Sequence, residues 1–111
     1  MSKDEQDEGK VAEGEDARVK ERPWPWEGLV GRDVVIDTDS SFVYVGRLEG
    51  ADDHFLALST ADVHDMRDSQ ATKEIYVLEA MKYGLRANRK LVYVARRRVV
   101  SVSLLDDVVH Y

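Results

Sequence analysis

The sequence predicts a mainly β protein: a small, strongly bent, five-stranded barrel with a helical insertion between strands three and four and a disordered N-terminal tail. Three observations predict it. Short runs of apolar residues alternate at period two between turn clusters. A glycine, Gly46, sits inside the best of those runs, where a glycine usually marks a bulge or sharp bend. One internal stretch abandons alternation for helical spacing.

Residues 1–22 carry eight acids and five bases, no aromatic and few aliphatics, so they cannot bury enough surface to offset chain entropy and are expected to be disordered. The remaining residues, 23–111, form one domain. Pro23-Trp24-Pro25-Trp26 opens it as a stiff extended arm, because each proline fixes its own φ and biases the residue before it. The two tryptophans either cap the open end of the barrel or present a docking epitope or base-stacking platform.

Val34 and Ile36 share one face of a first strand over residues 32–36, and Asp37-Thr38-Asp39-Ser40-Ser41 is a turn cluster. A second strand follows over residues 42–50, then a turn at Ala51-Asp52-Asp53, then a third strand over residues 54–60. There His54, Leu56 and Leu58 alternate against Phe55, Ala57 and Ser59. An insertion occupies residues 61–90, with a helix over residues 71–83 capped by Thr72 and ended by Gly84. Ile75-Tyr76-Val77 is β-prone, so a pair of extended strands is the competing reading. Two Val-rich strands, residues 91–96 and 98–104, close the chain around a tight connection at Arg96-Arg97-Arg98.

Composition excludes several classes. There is no cysteine, hence no disulfide, thiolate metal site or cysteine nucleophile. No apolar run approaches the roughly 18 residues of a membrane span, and no secretory h-region is visible, so a cytoplasmic protein is expected. No phosphate-binding glycine loop and no nucleophile elbow occurs, so neither an enzyme nor a cofactor nor a small-molecule substrate is expected. Asp52, Asp53, His54 and the His64-Asp65 pair match no metal-ligand spacing.

Net charge is −6, yet it is segregated: residues 82–98 hold seven bases (Lys82, Arg86, Arg89, Lys90, Arg96, Arg97, Arg98) and no acid. A basic surface can therefore coexist with an acidic total.

The spacing of Gly31, Val34, Ile36, Tyr44, Gly46, Leu48 and Asp52, followed by Val94, Val99 and Val102, resembles the Sm-like family. That family includes the Sm and like-Sm proteins and the bacterial host-factor RNA chaperone. The resemblance implies a barrel bent at Gly46, an interior filled by Val34, Ile36, Leu48, Val99 and Val102, and an Asp52 that binds turn amides. It also implies a homo-oligomeric ring of six or seven copies, strand four of one pairing with strand five of the next, and single-stranded RNA as partner.

Two departures qualify it. His54 falls at the family's stacking position, but Leu56 stands where an Asn reads a base edge, and Ala95-Arg96 stands where Arg-Gly is usual. A Leu side chain makes no hydrogen bond to a base. Arg96 and Arg97 fall instead where the bacterial chaperone carries Lys-His. The expected function is a ring-forming RNA-binding protein of weak or altered base selectivity, using His54, Arg96, Arg97 and Arg98 with Arg86, Arg89 and Lys90 from the insertion. The alternative is a protein-interaction scaffold on the same fold that no longer binds nucleic acid, to which the acidic total charge and the Trp24/Trp26 arm point. The arginines otherwise form a solvated turn or pair across protomers with Asp106, Asp107 or the acids near Asp52, and the helix is otherwise a solvated one packed on the barrel by its apolar face.

Overall fold

The computed structural model describes residues 25–109. The expected disordered tail and Trp24 lie outside them. A 3-10 turn, Pro25–Leu29, leads to β1 (Asp33–Thr38), β2 (Phe42–Ala51) and β3 (Phe55–Asp65). A second 3-10 turn, Met66–Asp68, and helix α1 (Lys73–Tyr83) follow, then β4 (Arg89–Ala95), a 3-10 turn at Arg96–Arg98, β5 (Val99–Leu104) and a last turn, Leu105–Asp107. All pairings are antiparallel, in the order β4-β3-β2-β1-β5.

The bend in this sheet has a local cause. Opposite Gly46 the β2–β3 register slips between Val45 and Arg47. A Cβ on Gly46 would lie 2.8 Å from Ala61 Cβ and 2.9 Å from Ala61 Cα. β3 answers with Thr60 at φ 46°, a left-handed conformation uncommon for a β-branched residue. The two strands thus turn a corner together, and only a residue without a side chain fits the inside of it. Gly31, at φ 85°, makes the turn into β1, where its N–H donates to Leu48 O at 2.7 Å.

The sheet buries both faces, which explains the unbroken Val34-Val35-Ile36 run. Val34, Ile36, Leu48, Leu56, Leu58, Ala61 and Val94 fill the inside of the bend. Val99 and Val102, expected there too, are only half-buried, because β5 is an edge strand. Val35, Val43 and Val45 form a second cluster on the outer face, covered by Tyr76, Val77, Ala80 and Met81 of α1 and by Leu105. Fully burying a Leu, Ile or Val stabilises by about 1.5–3 kcal/mol, so these two layers supply most of the driving force.

The insertion is shorter than expected. β3 does not stop at residue 60 but passes through the Thr60 corner to Asp65, pairing with the first half of β2, and β4 begins at Arg89. Alternation is lost at Thr60 because a left-handed residue resets which side chains face inward. The helix is real and its caps are those expected: Thr72 Oγ1 accepts from Ile75 N at 3.2 Å, and Gly84 N donates to Ala80 O at 2.9 Å. It starts at Lys73 because Thr72 is the cap. Lys73 Nζ pins the helix to the β1–β2 turn, at 2.6 Å from Asp37 Oδ1 and 2.9 Å from Ser40 O.

Asp65 fastens the end of β3. Its Oδ1 accepts from Ser41 Oγ at 2.7 Å, and Arg67 Nη2 donates to its Oδ2 at 2.7 Å. The Arg67 guanidinium, then Ser41, holds the carboxyl well below the usual carboxylate range. A carboxylate so depressed contributes stability that is present above its unfolded pKa, about 3.9, and lost as pH falls toward its folded value. Stability measured by urea unfolding should therefore be flat near neutrality and decline below about pH 4. Asp65→Asn should start lower at pH 7 and show a shallower acid slope; an unchanged slope would remove Asp65 from the account.

Candidate nucleic-acid interface

Asp52 organises the β2–β3 turn. Its Oδ1 accepts from His54 N at 2.8 Å and from Phe55 N at 2.7 Å, and its own N–H donates to Phe55 O at 2.9 Å. Those backbone donors, His54 first, lower its pKa. The side chain supplies what the tight turn otherwise leaves unpaired.

The turn at Arg96–Arg98 packs beside it. Arg96 N donates to His54 O at 2.8 Å, and Arg96 Nη1 to Asp52 O at 2.7 Å. Arg98 Nε donates to Asp39 Oδ1 at 2.7 Å, and Asp39 N returns a bond to Arg98 O at 3.0 Å. Arg96 and Arg98 thus staple the 96–98 turn to the β2–β3 and β1–β2 turns, one on each side. Arg97, between them in sequence, is exposed and without a hydrogen bond or ion pair among the described residues.

The base-only stretch does not form one patch. His54, Arg96, Arg97 and Arg98 gather at one end of β4. Arg89 and Lys90 are exposed at its other end, about 20 Å away at the rise of a strand. Arg86 lies still further back, on the rim of a cleft against α1.

Leu56 is fully buried and pairs with Val94 inside the sheet. The outward positions of β3 are Phe55 and Ala57, opposite Ala95 and Tyr93. Phe55 and Tyr93 remain 47% and 62% exposed and meet edge to face at 6.3 Å. With Gly50, Ala51, Asp52 and Ala57 they line a shallow depression of about 220 Å³. The alternation that puts Leu56 and Leu58 inside also puts Phe55 outside, whereas nothing local in the sequence pairs Phe55 with Tyr93.

The chain aligns over 76% of its length with 99% of the Sm protein of Pyrococcus abyssii in complex with a uridine heptamer, at TM-score 0.50 and 19% identity. It has the Sm-like fold. An Sm-like protein of Archaeoglobus fulgidus aligns over 86% of this chain and 99% of its own, at 17% identity and TM-score 0.47. A chain of the NatC complex bound to CoA aligns over 75% and 87%, at 17% identity and TM-score 0.49. No family model and no curated protein matches the sequence.

Among the described residues, no three His, Asp or Glu side chains gather as they would around a metal ion, and no helix is long and apolar enough to cross a membrane.

Proposed function

We propose that this protein is a cytoplasmic, ring-forming, non-catalytic RNA-binding protein that holds single-stranded RNA through charge and stacking rather than through uracil-specific hydrogen bonds. The observation that carries the reading is the cluster of His54, Arg96, Arg97 and Arg98 at one end of the sheet, with exposed Phe55 and Tyr93 beside it. Stacking on aromatics tolerates any base, and guanidinium groups near a backbone bind phosphate. The two sheet edges support assembly. β4 and β5 each lack a second neighbour strand among the described residues, and they expose Leu91, Tyr93 and Val100. Bare apolar edges invite pairing, and β4 of one copy on β5 of the next removes both edges at once when six or seven copies close a ring. Arg86, Arg89 and Lys90 add a second cationic zone away from the first.

Arg97 is the residue to test, since Arg96 and Arg98 also hold turns together. Purified protein should elute as a ring by light scattering and retain a fluorescent single-stranded RNA at low salt, with affinity falling steeply as salt rises. Arg97→Glu should leave the ring intact and weaken retention by at least about tenfold. A ring that ignores RNA at low salt would overturn the proposal. It would favour the second reading, an interaction scaffold, which is supported by the use of Arg96 and Arg98 in structural contacts and by the net charge of −6.

A further inference from the structure

The two edge strands differ in what their outer faces lack. On β4, Val92 and Val94 turn to the inner core, so Leu91 and Tyr93 point the other way. Tyr93 leans on Phe55, whereas Leu91 stays 50% exposed. On β5, Val102 packs on the inner core, and Ser101 and Ser103, opposite Asp37 and Val35, lie on the outer face. That is the face α1 covers, through Val35, Val43 and Val45 of β1 and β2. Beside the helix, toward β5, a groove of about 170 Å³ stays open, lined by Val35, Val43 and Val77 with Glu74 and Ser101. Lys73 and Asp37, also there, satisfy each other at 2.6 Å. One edge thus shows a bare leucine and the other a groove with apolar walls.

Charge is complementary between the same two edges. β4 starts on Arg89 and Lys90, and β5 runs into Asp106 and Asp107. All four are exposed, and none has an ion pair among the described residues. An antiparallel strand sets its start against its neighbour's end, so β4 laid that way on β5 brings these bases to these acids. Laid parallel, it would bring Arg89 and Lys90 toward Arg97 and Arg98, like charge on like.

We infer that α1 is a clamp between subunits: the groove between α1 and β5 receives Leu91 of a second copy, whose β4 lies antiparallel on β5 with its Arg89 and Lys90 against Asp106 and Asp107. The inference rests on the ring assembly proposed above and adds what fixes the orientation and register of its contact. Side-chain alternation leads to the placement. With Val92 of one copy and Val102 of the next both kept inside, Leu91 falls on the outer face beside Ser101 and Ser103, where α1 stands. A slip of one residue would bury Leu91 and expose Val92 instead. The occupant is a second copy because the bare edge, the uncovered leucine and the matching charges occur together on β4 of this chain.

The sequence has no cysteine, so introduced pairs report the contact directly. Full-length protein carrying Leu91→Cys and Glu74→Cys, treated with a short bismaleimide, should give a ladder of covalent multimers on a denaturing gel. Neither single-cysteine protein should, nor should Leu91→Cys with Tyr83→Cys, since Tyr83 lies on the flank of α1 turned toward β3. By light scattering, Arg89→Glu with Lys90→Glu should raise the concentration at which the assembly dissociates about tenfold or more. Asp106→Lys with Asp107→Lys should do the same, and all four changes together should restore the assembly. Circular dichroism matching the parent separates lost assembly from lost fold. An assembly without the Leu91–Glu74 ladder, one that the charge reversals leave unchanged, or one that the fourfold exchange does not restore would overturn the inference and leave the proposed ring standing. A chain that stays monomeric would overturn both, and RNA retention by Arg97→Glu tests the RNA contact separately.

Discussion

Gly46→Ala is expected to lower the stability of the domain by about 3 kcal/mol, the upper part of the range for overpacking a tight interior. The added Cβ would stand 2.8 Å from Ala61 Cβ and 2.9 Å from Ala61 Cα. One of those atoms is backbone, so β2 and β3 must separate at the corner that makes the sheet bend. For a domain of this size the melting temperature should fall by about 10 °C or more. Gly50→Ala is the control: nothing lies within 4 Å of a Cβ there, and the change should fall within about 0.5 kcal/mol of neutral. Ala61→Gly combined with Gly46→Ala should recover part of the loss, since it removes the nearer of the two contacts. A Gly46→Ala protein that melts within a degree or two of the parent would show that the corner is not as tight as described.

Leu56→Asn should cost still more, about 4 kcal/mol. It removes a fully buried side chain whose burial stabilises by about 1.5–3 kcal/mol and leaves a buried amide without partners, at a further 1–3 kcal/mol. Against a total of about 5–15 kcal/mol for a small domain, that leaves a largely unfolded population at elevated temperature. The experiment has a second edge. Linear alignment places Leu56 where Sm-like proteins carry a base-reading Asn, so on that alignment the substitution restores a binding pocket. The fold gives the opposite result. Ala57→Asn, on the outward face beside Phe55 and Tyr93, should cost less than about 1 kcal/mol, because a half-exposed amide keeps access to water. Urea unfolding of the two variants checks this contrast, and equal stability would overturn the inward placement of Leu56.

The same contrast marks what can be read in this chain without coordinates. The strands, the helix with its Thr72 and Gly84 caps, the bend at Gly46 and the amide-binding role of Asp52 all follow from local chemistry. Periodicity, capping and turn preference act between residues a few positions apart. That locality is why those elements were visible.

What the tertiary structure decided lies at longer range. It carried β3 through Thr60 to Asp65, since a left-handed corner has no signature in a β-branched residue. It turned Leu56 inward and Phe55 outward. It scattered the seven bases of residues 82–98, leaving Lys82 on α1, Arg86 beside the cleft, Arg89 and Lys90 at one end of β4 and Arg96, Arg97 and Arg98 at the other, and committed Arg96 and Arg98 to partners 44 and 59 residues away. It also set His64 against Tyr76 across a cleft, a pairing between strand and helix that no local pattern announces. The sequence by itself determined the elements and the place of the bend, because those depend on backbone preference and side-chain alternation. Only the packed molecule decided which charged and aromatic groups are free to meet a ligand, because that depends on which neighbours have already claimed them.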